Sequence, residues 1–561
     1  MTRFLAGASD FLQLRAAGGR YVDKTDILNA FEEEGGTVAL FLRPRRFGKS
    51  LNLSTLAAWW ALPLGEPTAW RATRQRAFAG TLAGDAPSAA VSARFCAHPV
   101  IALQWKDCKG GAWPTVRGAV ARSIQLAAQS LRPLWDHDGV DDRALLATPR
   151  YRDLPDDELA GTLRALTRAL RQSTGAPSLL LIDEYDGPLI EAATRGFYTE
   201  AIDLLRPLLG AALKDNPDLA RAALTGVLRV SREGLFSGLN HVSVHGPMDA
   251  TFGHHFGFTP TEVRQILQDH GRIDQEATVQ RWYNGYQMAG QTLYNPWSIV
   301  SFVSDPSSRP APYWVRTGSD ELLKAALIGA GLGIQHELAA LMAGEALALP
   351  LSDLLALPGL TQGPAAVWSL LLQAGYLTRA DEAEPPRLRI PNAELRTVYE
   401  EVFGEWMTVS LAGAATPAAL VAALLHGDAE TAGALLETLL LRSMSFHDYA
   451  VQRPEAVYQA FLLGLRVHAE PGWTVRSNRE SGYGRYDLML IPRKPGQPGA
   501  VIELKVLARD GNVESTLRSA LAQIADRRYA DALREAGASP IWCWAATFDG
   551  KQAWVRAQPA P

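Results

Sequence analysis

The chain has 561 residues, enough for several domains of roughly 100–200 residues each, and its 47% hydrophobic and 20% charged residues are an ordinary globular balance. A net charge of −4 excludes a protein that coats nucleic acid by bulk charge, because neutralising phosphates takes an excess of Lys and Arg. Three cysteines (Cys96, Cys108, Cys543) without a CxxC pair argue against a disulfide framework. Asp10 and Arg15 break the N-terminal apolar stretch before it reaches signal-peptide length, and there is no uncharged apolar run of about 18 residues. A soluble, cytoplasmic chain with no membrane partner is expected.

The first informative switch lies at residues 37–60. Thr37-Val38-Ala39-Leu40-Phe41-Leu42 reads as a buried strand, Arg43 to Gly48 as a polar turn, and Leu51, Leu53, Leu56 and Trp60 recur at helical spacing. Trp59 and Trp60 are expected in the core at the end of that helix. Further apolar runs at Val100–Leu103, Ser178–Ile182 and Ala222–Leu224 alternate with helical segments near 115–131, 157–172 and 197–214. Such alternation predicts a parallel α/β sheet covered on both faces.

The turn carries Arg43-Pro-Arg-Arg-Phe-Gly-Lys-Ser50. A phosphate loop needs inward N–H groups at a helix N-terminus, a lysine for the β/γ-phosphates and a hydroxyl for Mg²⁺. Arg45, Arg46, Phe47, Gly48, Lys49 and Ser50 are therefore candidate nucleotide-binding residues. Arg43 stands where the usual first glycine would be, and a basic surface turn capped by Ser50 is the competing reading. The Ser178–Ile182 run ends in Asp183-Glu184. Asp183 is expected to hold Mg²⁺ with Ser50, and Glu184 to polarise the attacking water. Thr225, ending the next strand, is a candidate γ-phosphate sensor or a plain strand cap. Arg229 and Arg232 are candidate charges for the triphosphate.

Residues 259–400 read as mostly helical, with breaks near 305–312 and 381–392, and another helical stretch spans about 394–442. His241 and His245 stand four apart in an extended-looking sequence. His254 and His255 are adjacent, so at most one is expected at a metal, and no zinc site is expected.

Strands at 485–491 and 500–506 flank the turn-dense Pro492–Gly499 connector, followed by a helix near 513–534 and the apolar run Ile541–Ala545. Glu503 and Lys505, two apart on a strand, project together, and Asp487 on the preceding strand can join them. Asp487, Glu503 and the Leu504 carbonyl are hard oxygen ligands suited to Mg²⁺, and Lys505 can place water or meet developing negative charge. Arg479 and Arg485 add positive potential. Glu455, opening a helix over 455–466, is a further candidate metal ligand, and Gln523 a candidate contact to a scissile phosphate or water. An ordinary salt-bridged hairpin is the alternative.

Taken together, Tyr21–Thr25, Phe41–Ser50, Leu181–Asp186, Thr225-Gly226, Phe236–Asn240, Phe256–Thr259, Trp282–Tyr286, Tyr294–Trp297 and Tyr313-Trp314 resemble the AAA-ATPase-like family of bacterial proteins. Gly482–Asp487 and Ile502–Lys505 resemble its usual C-terminal PD-(D/E)XK nuclease-superfamily domain. The resemblance implies an α/β chain with a P-loop NTPase parallel sheet (1–258), a helical middle region (259–442) and a restriction-endonuclease-like α/β domain (443–561). It assigns nucleotide roles to Lys49, Ser50, Asp183 and Glu184 and nuclease roles to Asp487, Glu503 and Lys505. In that family Arg43 in place of glycine is normal, and Gln523 and Tyr529 resemble the helix that follows the nuclease core. By analogy alone it suggests defence against foreign DNA.

The leading expectation is an ATPase with ATP and Mg²⁺ as cofactors, coupled to metal-dependent cleavage of nucleic acid, DNA in preference to RNA; a homo-oligomer is a candidate assembly, and the sequence does not set the subunit number. The alternative is an ATP-driven switch or scaffold whose nuclease-like domain only binds a partner or nucleic acid. A metabolic kinase would need an acceptor pocket that residues 259–480 do not announce.

Overall fold

The computed structural model describes the chain apart from residues 1–3, 6, 230–234, 236–238, 240, 248, 250, 289, 308, 315–333, 343, 353–362, 382, 384, 400–416, 444–471, 482–483, 508–510 and 550–551. It divides into two compact units, residues 1–319 with 349–394, and residues 320–348 with 395–561.

The first unit is built on five strands, β1 (Val38–Leu42), β2 (Val100–Gln104), β3 (Ser178–Asp183), β4 (Leu219–Gly226) and β5 (Val242–His245). All pair in parallel, in the order β2-β3-β4-β1-β5. Every residue of β1 and β3 is buried, which explains the apolar runs Val38–Leu42 and Leu179–Ile182: helices cover both faces of the sheet. The Lys49–Trp60 helix packs Leu53, Leu56, Trp59 and Trp60 into the same core as Phe41, Leu179 and Leu181. Trp59 and Trp60 are buried at its end, with Trp59 Nε1 donating to Val91 O at 2.8 Å. On the Asp156–Thr174 helix, three acidic residues in the first turn face the positive end of the helix dipole, and Gly175 closes it at φ 72°.

Residues 259–319 and 349–394 fold within this unit. Their helices include Pro260–Asp269, started by a Thr259/Glu262 capping box, and Pro296–Ser304, capped by Asn295. The segment expected to be mostly helical also carries strands. β6 (Tyr286–Met288) and β7 (Gln291–Leu293) form a tight hairpin. Beyond β8 (Leu347–Ala348), β9 (Thr378–Arg379) and β10 (Arg387–Arg389) form another antiparallel pair. Two or three residues per strand are too few for a period-2 pattern to stand out in the sequence.

The second unit contains β11 (Trp473–Ser481), β12 (Gly484–Pro492), β13 (Gly499–Val506), β14 (Ile541–Asp549) and β15 (Gln552–Pro559), side by side in chain order. β13 and β14 are parallel and the other neighbours antiparallel. The Val513–Asp526 helix makes the crossover between the parallel pair and buries Leu517, Leu521 and Ile524 against Met489, Val501 and Cys543. The single helix expected over 513–534 is broken: Arg528 sits at φ 56°, and a short helix, Asp531–Glu535, follows. Helices Pro417–His426 and Ala429–Ser443 also pack on the sheet, where Trp544 Nε1 donates to Leu424 O at 2.9 Å. All three cysteines are buried and free. Among the described residues no helix is long and apolar enough to cross a membrane.

Candidate functional sites

Strands β1 and β3 are separated by β4, so the loop after β1 and the carboxylates after β3 meet over the end of the strand between them. Gly48 reaches φ 86° and Arg46 φ 66°, turning the loop into the N-terminus of the Lys49–Trp60 helix. Arg43 is fully buried at the base of the loop. Its Nη1 donates to the carbonyls of Leu42, His245 and Gly246 at 2.7–2.8 Å, and its guanidinium lies 5.0 Å from the Phe256 ring centroid. The residue in the first-glycine position thus ties β1 to β5. Burial pushes its pKa down to about 10, opposed by Asp249.

Lys49 Nζ bridges the carbonyls of Arg43 and Pro44 at 2.9 and 3.0 Å. Burial lowers its pKa, while Glu184, Asp183 and Asp186 oppose that shift. Ser50 Oγ donates to Asp183 Oδ2 at 2.5 Å, Gln104 Nε2 reaches the same oxygen at 2.8 Å, and the Thr225 hydroxyl donates to Oδ1. A hydroxyl and a carboxylate brought together beside a buried ammonium form the hard-oxygen pair that a divalent cation on a triphosphate would take. Glu184 is half-buried at φ 55°, its N–H donating to Thr225 Oγ1 at 3.3 Å. Burial raises its pKa, with Lys49 opposing. Asp186 accepts from Val227 and Leu228 N–H, both at 2.8 Å. Gly226 is required beside it, since a Cβ there would lie 2.5 Å from the Tyr185 ring.

In the second unit, the β12–β13 ladder ends at Leu488↔Ile502, and the Asp487 carboxylate then accepts the Leu504 N–H at 2.8 Å. Glu503 Oε1 accepts from Lys505 Nζ at 2.9 Å and Gln523 Nε2 at 2.5 Å. Its Oε2 is buried with no hydrogen-bond partner, although the residue is only 2% exposed. Burial, reinforced by Asp487, raises the Glu503 pKa to about 7. A buried oxygen with no donor beside a second carboxylate is a position a divalent cation would satisfy. Tyr529 supports the cluster, its hydroxyl 3.5 Å from Gln523 Nε2 and its ring edge-on to Tyr486.

Two parts of the chain match known families, the predicted AAA-ATPases and the PD-(D/E)XK nuclease superfamily. The first family's model matches residues 6–236 and the second's matches residues 453–558. An uncharacterized protein from the vnfD 5′ region of Azotobacter chroococcum is 28% identical over 544 residues, covering 95% of this chain and 93% of its own. A Walker-type ATPase of Pyrococcus abyssi aligns in structure over 68% of this chain and 96% of its own, with 15% identity and a TM-score of 0.38.

Within the AAA-ATPase unit, the fold brings together Lys49, Ser50, Asp183, Glu184 and Thr225. Thr225 is fully buried beneath Asp183, where its hydroxyl orients that carboxylate. Gln104, exposed at the end of β2, was not marked by the sequence; a single glutamine closing an edge strand carries no local signal. The Arg229 N–H donates to Gln373 Oε1 at 2.8 Å. Also missed was a layer of residues behind the loop. Trp314 Nε1 donates to Arg45 O at 3.2 Å, the Arg46 guanidinium lies 3.8 Å from the Trp297 ring centroid, and Phe47 meets Tyr286 edge-on at 5.0 Å. Buried Glu394 accepts from Ser298 Oγ and Trp314 N at 2.7 and 2.8 Å, and burial raises its pKa to about 7. The aromatic strings Trp282–Tyr286, Tyr294–Trp297 and Tyr313-Trp314 were their only sequence signal.

Within the nuclease-superfamily domain, Asp487, Glu503, Leu504, Lys505 and Gln523 share one site. Arg232, Glu455 and Gly482 lie outside the described residues, as do the side chains of Arg479 and Arg485.

Proposed function

We propose that the chain binds and hydrolyses ATP in its AAA-ATPase unit and uses that cycle to control metal-dependent phosphodiester cleavage by its nuclease-superfamily domain, acting on DNA. The observation that carries the nuclease half is Glu503, a nearly fully buried carboxylate that spends one oxygen on Lys505 and Gln523 and leaves the other free. A domain that only bound a partner would gain nothing from a buried acid raised to about 7.

Asp487, Glu503 and the Leu504 carbonyl would hold Mg²⁺, which supplies a polarised phosphate and a bound water of lowered pKa. Lys505, tethered to Glu503, would meet the negative charge that develops on the phosphate. Gln523 fixes the Glu503 carboxylate in one orientation. In the ATPase unit, Lys49 would meet the β/γ-phosphates, Ser50 and Asp183 would hold the accompanying cation, and Glu184 would orient the attacking water. Thr225 and Gln104 keep Asp183 in place.

The test is a panel of labelled linear, circular and single-stranded DNA and RNA, incubated with Mg²⁺ with and without ATP. Wild type is expected to cut DNA and Glu503→Ala to cut nothing. Loss of ATP turnover in Asp183→Asn checks the ATPase half. ATP turnover with no cleavage of any substrate would instead favour a nucleotide-driven switch or scaffold.

A further inference from the structure

Away from both sites, Asp26, His254 and His255 each bring one ligand atom within 4.8 Å of the others. Adjacent histidines were expected to supply at most one metal ligand. The 3₁₀ turn Gly253–His255 instead sets the two imidazoles side by side, ring centroids 4.0 Å apart and tilted by 36°. Asp26 arrives from a distant part of the chain, at the start of the Ile27–Glu33 helix. Its side chain makes no capping hydrogen bond there. Its Oδ1 accepts from Asn29 Nδ2 at 3.0 Å, and its Oδ2 lies 3.7 Å from His255 Nε2.

The second observation is the state of His255. The residue is 2% exposed, yet neither ring nitrogen has a hydrogen-bond partner. A buried polar atom left without a partner is costly, and in native proteins such a group calls for an ion or a water at that place. The 3.7 Å separation from Asp26 is too long for a hydrogen bond. It is close to the roughly 3.4 Å between two ligand atoms that each sit about 2.1 Å from a tetrahedral ion.

We propose that Asp26, His254 and His255 together bind one divalent transition-metal ion of the zinc class. Two imidazoles and one carboxylate suit zinc better than the oxygen-seeking Mg²⁺ or Ca²⁺. His254 is exposed and Asp26 half-buried, so the ion enters from solvent and a fourth position stays open to water. The surroundings give the ion a structural task. The His255 carbonyl accepts from Asn52 Nδ2 on the phosphate-loop helix at 2.8 Å, and the His254 carbonyl from Lys24 Nζ at 2.8 Å. Glu262, 2.6 Å from Lys24 Nζ, offsets that positive charge. The ion therefore fastens the segment around Asp26 to the turn that braces the phosphate-loop helix.

The test uses the full-length protein, stripped of metal and titrated with Co²⁺ in excess Mg²⁺, which occupies the oxygen-rich sites. The readouts are the visible absorption of tetrahedral Co²⁺ and the stoichiometry of bound metal. A band saturating at one ion per chain and displaced by Zn²⁺ is expected. It should be lost in His255→Ala and weakened at least roughly 10-fold in His254→Ala and Asp26→Asn. It should persist in Asp183→Asn and Glu503→Gln. His254 is exposed, so its replacement spares the core, and circular dichroism checks the fold of each variant. The same band and stoichiometry in folded His254→Ala and in wild type would overturn the site. So would the absence of any tetrahedral Co²⁺ band in the wild type, which would leave water as the partner of His255.

Discussion

Glu503 shows how one carboxylate's surroundings set its behaviour. Its pKa is raised from 4.5 to about 7 by burial and by Asp487, so the folded chain holds this proton more tightly than the unfolded chain does. The sign follows from linkage: below about 4.5 both forms are protonated, and as pH rises through about 7 the metal-free protein loses stability. Glu503→Gln, which stays neutral, should therefore raise metal-free stability at pH 8 by on the order of 1–2 kcal/mol and change it little at pH 4. Urea unfolding in EDTA at the two pH values reads this directly. Because bound metal must displace the same proton, Mn²⁺ affinity in calorimetry should rise between pH 6 and 8 in wild type and lose that dependence in the variant. Thr225 gives the matching case in the ATPase unit. Thr225→Val removes one donor from Asp183 and should lower ATP turnover roughly 10-fold, about 1.4 kcal/mol of barrier, with ATP affinity changed far less. An equal loss in both quantities would place Thr225 in binding.

At the scale of elements, short motifs on regular structure were legible and their supports were not. Gly48-Lys49-Ser50 after an apolar run, Asp183-Glu184 at a strand end and Glu503-x-Lys505 all depend on local spacing, which the chain displays openly. The supports come from far along the chain. Arg43 reaches β5, Trp314 reaches Arg45, and Gly375 closes on Pro44; no local pattern announces such meetings. The break at Arg528 was hidden for a related reason, since arginine is an ordinary helix residue and only the packing of Tyr529 and Leu533 into the core explains the turn. Gly375 tests the support layer. It ends the Pro364–Ala374 helix at φ 85°, and a Cβ there would lie 2.6 Å from the Pro44 side chain. Gly375→Ala should cost about 2–3 kcal/mol through left-handed backbone and crowding. ATP binding should weaken with it, because Pro44 supplies one of the carbonyls that hold Lys49. Thermal unfolding together with nucleotide titration separates the two effects, and unchanged ATP affinity would mean that the loop absorbs the push.

At the scale of the molecule, the two kinds of sheet could be read from the alternation of strands and helices in the first part and from the paired strands around Pro492–Gly499 in the last. The strand order β2-β3-β4-β1-β5 could not, because order is set by which crossovers pack and not by local composition. The convergence of Asp26 with His254 and His255 was equally invisible, being a product of that long-range arrangement. Two candidate sites in one chain raise the question of whether one controls the other. The measurement that bears on it most directly is the Mg²⁺-dependent rate of DNA cleavage with and without ATP, in wild type, Lys49→Ala and Glu503→Ala. Cleavage that responds to ATP in wild type, no longer responds in Lys49→Ala and vanishes in Glu503→Ala is the expected result. Cleavage that persists in Glu503→Ala, or an ATP response unchanged in Lys49→Ala, would contradict it.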